Sequence, residues 1–271
     1  MQAQKNIISV KGLSKIFNGR KVLKDINFDV RKGEIFVIMG CSGGGKSTLL
    51  RHLIGSIQPD EGTIVINGKD IANISEFDMD LVRKKFGMVF QYAALLDYLT
   101  VEENVALPLR EHTQLAEEII KIIVRMKLSL VGLRGFEEYY PSEISGGMRK
   151  RVGIARAIAL DPGIVFYDEP TSGLDPVVSA VIDKLIMDLS KKLGITSVVV
   201  THDMQSVFKI ADTVAMIHQG QIVEMGPRDQ IQNTTNPIVR QFIQGEHEGP
   251  INFFQKPDFY LEELTGKKEH F

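Results

Sequence analysis

Short apolar runs and longer stretches of helical periodicity alternate along the chain. The runs Ile35–Met39, Ile164–Tyr167 and Ser197–Thr201 are uninterrupted, which is typical of strands buried on both faces of a sheet. Met88–Phe90 is a further candidate strand. At the N-terminus, apolar runs on either side of the dipeptide Asn18-Gly19 predict a β-hairpin. The pattern therefore predicts antiparallel strands at the start of the chain and strands buried on both faces of a sheet after them.

Helical patterns lie between the later strands. Apolar spacing predicts helices over Lys46–Leu53, Leu115–Val131, Gly146–Leu160 and Asp175–Leu193. In the last of these, Asp175 is a suitable N-cap and the next residue is a proline, which suits the first helical position. Alternating buried strands and helices predict an α/β fold with a mostly parallel core sheet that binds ligands at the carboxyl ends of its strands.

The density of strand signals divides the chain. Residues 1–91 and 161–244 carry the strand patterns, and residues 92–160 are dominated by helical ones. We therefore expect a core domain with an inserted α-helical subdomain. Residues 245–271 have no clear periodicity and are rich in charge, proline and aromatic side chains, so we expect a C-terminal interaction tail.

Composition excludes several functional classes. The 271 residues are 44% hydrophobic and 24% charged, and 32 basic against 34 acidic side chains leave a net charge of -2. This balance argues against nucleic acid as a partner. The single cysteine fits a reducing compartment. The first residues lack the pattern of a signal peptide, and no apolar run approaches the roughly 20 residues that span a bilayer, so we expect neither a signal peptide nor a membrane-spanning helix.

The most specific motif is a glycine-rich loop that follows a predicted strand and precedes a predicted helix. The stretch Gly40 to Ser47 fits G-x-x-x-x-G-K-[ST], in which backbone N–H groups, the helix N-terminus and a lysine bind phosphates and the Ser can ligate Mg²⁺. A redox-sensitive Cys41 is one possibility; a position that only tolerates a small side chain is the one we favour. The predicted nucleotide-binding residues here are Gly40, Cys41, Ser42, Gly43, Gly44, Gly45, Lys46, Ser47 and Thr48.

Polar side chains follow two more predicted strands. Asp168 and Glu169 end the strand Ile164–Tyr167, so Asp168 can hold Mg²⁺ and Glu169 can orient and deprotonate an attacking water. His202 follows the strand Ser197–Thr201 and reaches the same edge of the sheet. A turn cap for the acidic pair and a hydrogen-bonded structural role for the histidine are the alternatives.

A second pair of glycines opens the helix predicted from residue 146. Ser145, Gly146 and Gly147 would expose another set of free N–H groups, although an ordinary helix cap is the better explanation when they are taken alone. Since the first loop already accounts for one nucleotide, this helix end could bind the nucleotide of a second copy in a two-fold dimer.

Together these residues resemble the ATP-binding cassette (ABC) ATPases, a family of P-loop NTPases. The resemblance covers about residues 7–242 and implies ATP and Mg²⁺ as cofactors. It implies that Phe17 stacks on adenine, that Gln91 joins Ser47 and Asp168 at Mg²⁺, and that Lys46, Glu169 and His202 act in hydrolysis. It also implies that Ser145, Gly146, Gly147 and Asp175 contact nucleotide in trans. Met148 replaces the usual glutamine of the signature motif.

A finer resemblance rests on Leu109–Leu115, Val131–Gly135 and the tail, which are similar to the Mla phospholipid-transport branch of the family. It implies a homodimer on the cytoplasmic face of the inner membrane that energises phospholipid transport between the inner and outer membranes. The implied partners are an MlaE-like permease, an MlaB-like STAS-domain regulator and an MlaD-like MCE-domain lipid-binding protein. In the tail, Phe253, Phe254, Phe259 and Tyr260 would anchor contacts.

Three other functions remain open from the sequence. The same motifs serve transporters of other cargo, such as amino acids, and soluble ABC ATPases that take no part in transport. A third possibility is a binding module without activity, against which the joint presence of Glu169 and His202 argues.

Overall fold

The computed structural model describes residues 5–251, where ten strands and nine α-helices are found. In chain order the elements are β1 (Asn6–Phe17), β2 (Arg20–Arg31), β3 (Ile35–Met39), α1 (Lys46–Leu53), β4 (Glu61–Ile66), β5 (Lys69–Asp70), α2 (Glu76–Arg83), β6 (Phe86–Val89), α3 (Val101–His112), α4 (Glu117–Leu130), α5 (Gly146–Ala157), β7 (Ile164–Asp168), α6 (Pro176–Leu193), β8 (Thr196–Val200), α7 (Met204–Ile210), β9 (Thr213–His218), β10 (Gln221–Pro227), α8 (Arg228–Gln232) and α9 (Pro237–Gln244).

The core is a six-stranded sheet in the order β10-β9-β3-β8-β7-β6. All pairs are parallel except β10 with β9. Strands β3 and β8 are buried at every position, as expected of a sheet covered on both faces. The predicted α/β class with a mostly parallel core sheet is therefore confirmed.

A second, antiparallel sheet has the order β2-β1-β4-β5 and contains the predicted hairpin. The turn residue Asn18 adopts φ 49° and Gly19 adopts φ 77°, the left-handed geometry that such a turn requires. Apolar side chains of this sheet pack with those of α1 and one face of the core sheet in a single cluster. The sheet thereby covers the helix that follows the glycine-rich loop.

Helices α3, α4 and α5 lie between β6 and β7 in the chain and pack on one another. A capping box starts α3, in which the Thr100 hydroxyl accepts from Glu103 N–H and the Glu103 carboxylate accepts from Thr100 N–H. The segment predicted to be helical thus consists of helices and turns. The boundaries at residues 92, 161 and 245 stay predictions.

The predicted elements match the observed ones with small displacements. Predicted strands 35–39, 164–167 and 197–201 correspond to β3, β7 and β8, and the predicted helix Lys46–Leu53 corresponds to α1. The strand predicted at Met88–Phe90 was placed too late, because pairing with β7 begins at Phe86 opposite Ile164. Helix α5 ends before the predicted Leu160, since the chain turns at Asp161, with φ 50°, ahead of Pro162.

None of the helices described between residues 5 and 251 is both long and apolar enough to cross a bilayer. The proposed tail anchors Phe253, Phe254, Phe259 and Tyr260 lie outside the described residues.

Candidate functional site

The candidate site lies at the carboxyl ends of three adjacent parallel strands. Asp168 of β7 is opposite Val200 of β8, and Val200 is opposite Ile38 of β3. One or two residues further along, these strands deliver the glycine-rich loop, Glu169 and His202 to the same edge of the sheet. Parallel pairing therefore brings together residues that are more than 100 positions apart in the chain.

The glycine-rich loop has a backbone that only glycine accommodates at two positions. A Cβ at Gly40 would lie 2.1 Å from the carbonyl oxygen of Ile217, and one at Gly45 would lie 2.9 Å from Leu23 Cδ2. Gly40 has φ 147° and Gly45 has φ 111°, so both also avoid strain that an L side chain would suffer. Gly44 is held by the Gly220 N–H, which donates to its carbonyl oxygen over 3.1 Å.

Helix α1 starts from this loop without a side-chain cap. Gly45 is its N-cap residue and makes no side-chain hydrogen bond to the first turn, which contains no acidic residue. The first N–H groups of a helix have no partner within it and carry the positive end of its dipole. This helix end is therefore suited to binding an anion such as phosphate.

Lys46 places a buried cation over the loop. Its Nζ donates to the carbonyl oxygens of Gly40 over 2.7 Å and Cys41 over 3.0 Å, and the residue is 8% exposed. Burial lowers the pKa of Lys46, while the charges of Glu169 and Asp168 act in the opposite direction. A bound phosphate would add further negative charge beside this ammonium group and favour its charged form. Ser47 is exposed and Thr48 is half-buried, both in the first turn of α1.

Glu169 and His202 form a hydrogen-bonded pair. His202 Nδ1 lies 2.8 Å from Glu169 Oε1, and the other carboxylate oxygen accepts from the Thr201 hydroxyl over 3.2 Å. The Glu169 side chain is only 12% exposed, whereas that of His202 is 62% exposed. Glu169 also adopts φ 47°, which is uncommon for a residue with a side chain and clusters at functional sites. The carboxylate is thus oriented by its neighbours.

Asp168 has a perturbed pKa. Burial raises the pKa of Asp168 above its usual value, the nearby charge of Glu169 raises it further, and Arg51 and Lys46 partly oppose both effects. A bound cation would relieve this unfavourable burial of negative charge. Gln91, two residues beyond the end of β6, is half-buried and its Nε2 lies 3.4 Å from the Ser172 hydroxyl.

The second glycine pair begins α5 beside α6. Ser145 caps α5 through its hydroxyl, which accepts from Met148 N–H over 3.2 Å. A Cβ at Gly147 would lie 2.4 Å from Val178 Cγ1, so glycine is required there by the approach of α6. Asp175 caps α6, and its carboxylate accepts from the Val177 and Val178 N–H groups. The residues predicted to act in trans are therefore neighbours at two adjacent helix ends.

Phe17 lies at the end of β1 and is 43% exposed. Lys15 Nζ lies 5.4 Å from the centre of that ring, a cation–π distance. The next strand of the hairpin contacts the glycine-rich loop, since Val22 and Leu23 are the neighbours that a Cβ at Gly45 would meet. The hairpin that carries the exposed Phe17 ring therefore packs against the glycine-rich loop.

Two cationic residues of α5 contact this site and were not predicted from the sequence. The Lys150 ammonium group is a buried donor to the carbonyl oxygens of Gln91 and, over 3.2 Å, Glu169. Arg156 donates to the carbonyl oxygens of Ala93 and Ala94 over 2.7 Å each. A signal for Lys150 existed, since it falls between Gly147 and Ile154 on the buried face of the helix.

Cys41 does not have the properties of a reactive thiol. Burial raises its pKa above the usual value of 9.0, and the charge of Lys46 only partly opposes this. The thiolate is therefore scarce at neutral pH. Its main chain, in contrast, takes part in the loop by accepting from Lys46 and Gly44.

The family model described as ABC transporter matches residues 23–172, the stretch that contains the glycine-rich loop, the glycine pair Gly146-Gly147 and the acidic pair. The chain is 43% identical over 259 residues to the intermembrane phospholipid transport system ATP-binding protein MlaF of Haemophilus influenzae, with 96% of this chain and 98% of that protein covered. It is 42% identical over 266 residues to MlaF of Escherichia coli, with 98% and 99% covered. It is also 43% identical over 251 residues to the probable ribonucleotide transport ATP-binding protein mkl of Mycobacterium leprae, with 93% and 72% covered.

Solved structures agree with this family. The post-hydrolysis dimer of the cassette MJ0796 bound to ADP and phosphate has a TM-score of 0.75 and 30% identity, and covers 82% of this chain and 98% of its own. A cassette of the cbiONQ transporter from Clostridium perfringens has a TM-score of 0.80 and 29% identity, with 90% and 96% covered.

Proposed function

The chain belongs to the ABC transporter family and is an ATPase subunit, and we propose that two copies bind and hydrolyse two ATP molecules to energise phospholipid transport between membranes. The observation that carries the hydrolysis proposal is the pair of Glu169 and His202 at the strand edge that also holds the buried ammonium group of Lys46. A base, an orienting imidazole and a phosphate-binding cation then lie around one point.

Each residue has a distinct role in this proposal. The uncapped end of α1 and the loop N–H groups from Gly40 to Thr48 bind the phosphates, and Phe17 stacks on the adenine ring. Lys46 leaves the loop carbonyls to donate to phosphate oxygens. Glu169 accepts a proton from the attacking water as general base, and His202 holds the carboxylate in position through its Nδ1.

The chain also has oxygen ligands that suit a magnesium ion. Ser47, Gln91 and Asp168 would hold Mg²⁺, which when bound neutralises charge on the phosphate oxygens. The raised pKa of Asp168 supports this assignment, because the buried carboxylate benefits from a cation. Among residues 5–251, no group of three or more His, Cys, Asp or Glu side chains could hold a metal ion. One carboxylate with hydroxyl and amide oxygens is the donor set that Mg²⁺ shares with bound phosphates.

We propose a two-fold dimer in which the ends of α5 and α6 complete the partner's site. Ser145, Gly146 and Gly147 would turn backbone N–H groups and a helix dipole toward the partner's nucleotide, and Asp175 would contact it from α6. Support comes from the exposure of Ser145, Gly146 and Asp175, and from the dimeric cassette among the similar structures.

The membrane permease would dock in a groove of about 740 Å³ between α2, α3, α5 and β6. Phe77 is 77% exposed there, and Leu81 and Phe90 are more than 40% exposed. The groove adjoins Gln91, so a permease segment bound there would contact the loop that reaches the nucleotide. An apolar groove of this kind fits a short amphipathic segment of an MlaE-like subunit. With the permease docked, this chain would lie on the cytoplasmic face of the inner membrane, and MlaB-like STAS-domain and MlaD-like MCE-domain proteins would belong to the same complex.

Phospholipid is the cargo that the comparisons favour. The two MlaF relatives match this chain over 98–99% of their own length, whereas the mkl relative matches over 72% of its length. The mkl name supports ribonucleotides as the second candidate cargo. Lipids and nucleotides that co-purify with the complex distinguish the two. Enriched phospholipid in the wild-type complex, reduced after Phe77→Asp breaks permease contact, is the expected result, and enriched ribonucleotide would contradict it.

Glu169→Gln tests the hydrolysis proposal. The amide keeps the size of the carboxylate and one of its two acceptor oxygens but cannot accept a proton, so turnover should fall by about 10²- to 10⁴-fold while ATP affinity is retained. ATPase assays and nucleotide binding, with size-exclusion chromatography for ATP-dependent dimers, measure this. Thr201→Val, which removes a neighbouring hydrogen bond but no base, is the matched control and should lose far less activity. Wild-type turnover in Glu169→Gln would exclude the assignment.

A further inference from the structure

We propose that Lys150 is a positioning residue. Its buried ammonium group donates hydrogen bonds to the main-chain carbonyls of Gln91 and Glu169, and these bonds fix the position of the Gln91 loop relative to Glu169. This inference rests on the proposed hydrolysis of ATP. It adds a residue that would act through Gln91 and Glu169 and not by direct contact with the nucleotide.

The contacts of Lys150 join distant parts of the chain. Its two acceptors lie 59 and 19 residues away, at the ends of β6 and β7. The residue is 6% exposed, and burial lowers its pKa, while Glu169 and Asp168 favour its charged form. A buried ammonium group without acceptors would be costly. The position of the two carbonyls is therefore coupled to that of the lysine.

Both acceptors belong to backbone that needs restraint. Glu169 has φ 47°, and its N–H donates to Val200 O over 2.8 Å. Beyond Gln91, Ala93 has φ 61° and Ala94 has φ 49°. Left-handed residues with side chains persist only where the surroundings hold them. Lys150 supplies one such restraint at Gln91 and one at Glu169.

Ser172 completes the same network. Its N–H donates to the Glu169 carbonyl over 3.2 Å, and its hydroxyl lies 3.4 Å from Gln91 Nε2. Gln91, Lys150, Glu169 and Ser172 thus form a closed ring of contacts. The Glu169 side chain leaves the ring toward His202, so a shift of the Glu169 main chain would displace the general base.

Lys150 also belongs to the helix whose first turn contains Gly146 and Gly147. A nucleotide of the second copy that presses on this helix end would move Lys150 together with its two acceptors. The lysine therefore connects the residues proposed to act in trans with the general base of its own chain.

Lys150→Met tests the inference, because methionine keeps the volume but donates no hydrogen bond. We expect kcat for ATP hydrolysis by the full-length protein to fall by about 10- to 100-fold, the effect of a misplaced catalytic group. The KM for ATP and the affinity for a fluorescent ATP analogue should change by less than about 2-fold, because no phosphate contact is removed. Lys150→Arg, which can donate to both carbonyls, should restore kcat to within about 5-fold of wild type.

Arg151→Met is the matched control from the same helix. Arg151 donates to the carbonyls of Val131 and Gly132 over 3.0 Å each, and contacts neither Gln91 nor Glu169. It should lower thermal stability and leave kcat within about 2-fold of wild type. A kcat loss in Arg151→Met equal to that in Lys150→Met would show a merely structural role and overturn the inference. Wild-type kcat in Lys150→Met would overturn it too.

Two further variants keep the outcomes separate. If Lys150→Met does not unfold cooperatively, it is replaced by Lys150→Gln, which reaches fewer acceptors. Reduced kcat at constant KM in Lys150→Gln supports the inference, and wild-type kcat in that variant overturns it. Glu169→Gln is assayed in parallel. Wild-type turnover in Glu169→Gln refutes the proposed function, whereas an inactive Glu169→Gln beside a fully active Lys150→Met refutes only the role of Lys150.

Discussion

Replacing Gly147 by alanine should destabilise the protein because α6 lies too close to α5. The new Cβ would be 2.4 Å from Val178 Cγ1, and Val178 Cβ would be 3.7 Å away. Optimal carbon contacts are about 3.5–4.0 Å, so one of the two helices must move by about 1 Å. Overpacking of this kind costs about 1–3 kcal/mol, of which better helix propensity returns about 0.5–1 kcal/mol.

Gly146→Ala is the matched control in the preceding position. Its nearest neighbour would be Leu174 Cδ2 at 3.9 Å, an ordinary contact, so the propensity gain remains without the clash. The two variants should differ in unfolding free energy by about 1–3 kcal/mol. At about 2–4 °C per kcal/mol, their melting temperatures without nucleotide should differ by about 2–12 °C.

A double variant locates the cause of the loss. Val178→Ala removes the methyl groups that Gly147→Ala would meet, so the combination should be more stable than the sum of the single effects by about 1–2 kcal/mol. Urea unfolding of the four proteins of this cycle measures the coupling. Equal stability of Gly147→Ala and Gly146→Ala, or strict additivity with Val178→Ala, would refute the reasoning that helix contact requires glycine here.

Three further predictions follow from the site. Lys46→Ala should weaken ATP binding by about 10- to 100-fold, because hydrogen bonds from a charged group are lost; calorimetry measures this, and unchanged affinity would contradict the phosphate-binding role. His202→Ala should lower kcat by about 10- to 100-fold with little change in the KM for ATP, because the Glu169 carboxylate loses its 2.8 Å partner; steady-state assays measure this, and a KM effect alone would contradict it. Cys41 should be alkylated more slowly at pH 7 in the folded protein than in urea, because burial raises the pKa of the thiol. In the folded protein the alkylation rate should still rise with pH beyond 9.0. Equal alkylation rates in the folded and unfolded states would contradict this.

Local patterns were sufficient for much of the fold. The buried strands β3, β7 and β8 were predicted within one residue, since a short uninterrupted apolar run is typical of a strand buried on both faces. Some elements were missed where their signal is weak. Helix α3 contains Pro108, and β5 has two residues, so neither produces a clear period. Pairing with β7, which periodicity does not report, decided where β6 begins.

The candidate site could be predicted only in part. Gly40–Ser47 and Asp168–Glu169 are contiguous motifs, so their chemistry is visible in the sequence itself. That His202 would contact the Glu169 carboxylate was not predicted, although both were placed at one strand edge. Lys150 was missed altogether, because its two acceptors are main-chain carbonyls, which any residue type can provide.

The sequence by itself determined which local structures form and which residues can bind phosphate, because helical periodicity, apolar runs and glycine-rich loops act over a few neighbouring positions. Tertiary structure alone decided which distant groups meet. The closeness of Gly147 to Val178 depends on helix packing, and the join of Gln91 to Glu169 through Lys150 depends on the order of strands in the sheet. Such contacts arise from the packing of whole elements against one another, and no short stretch of residues encodes them.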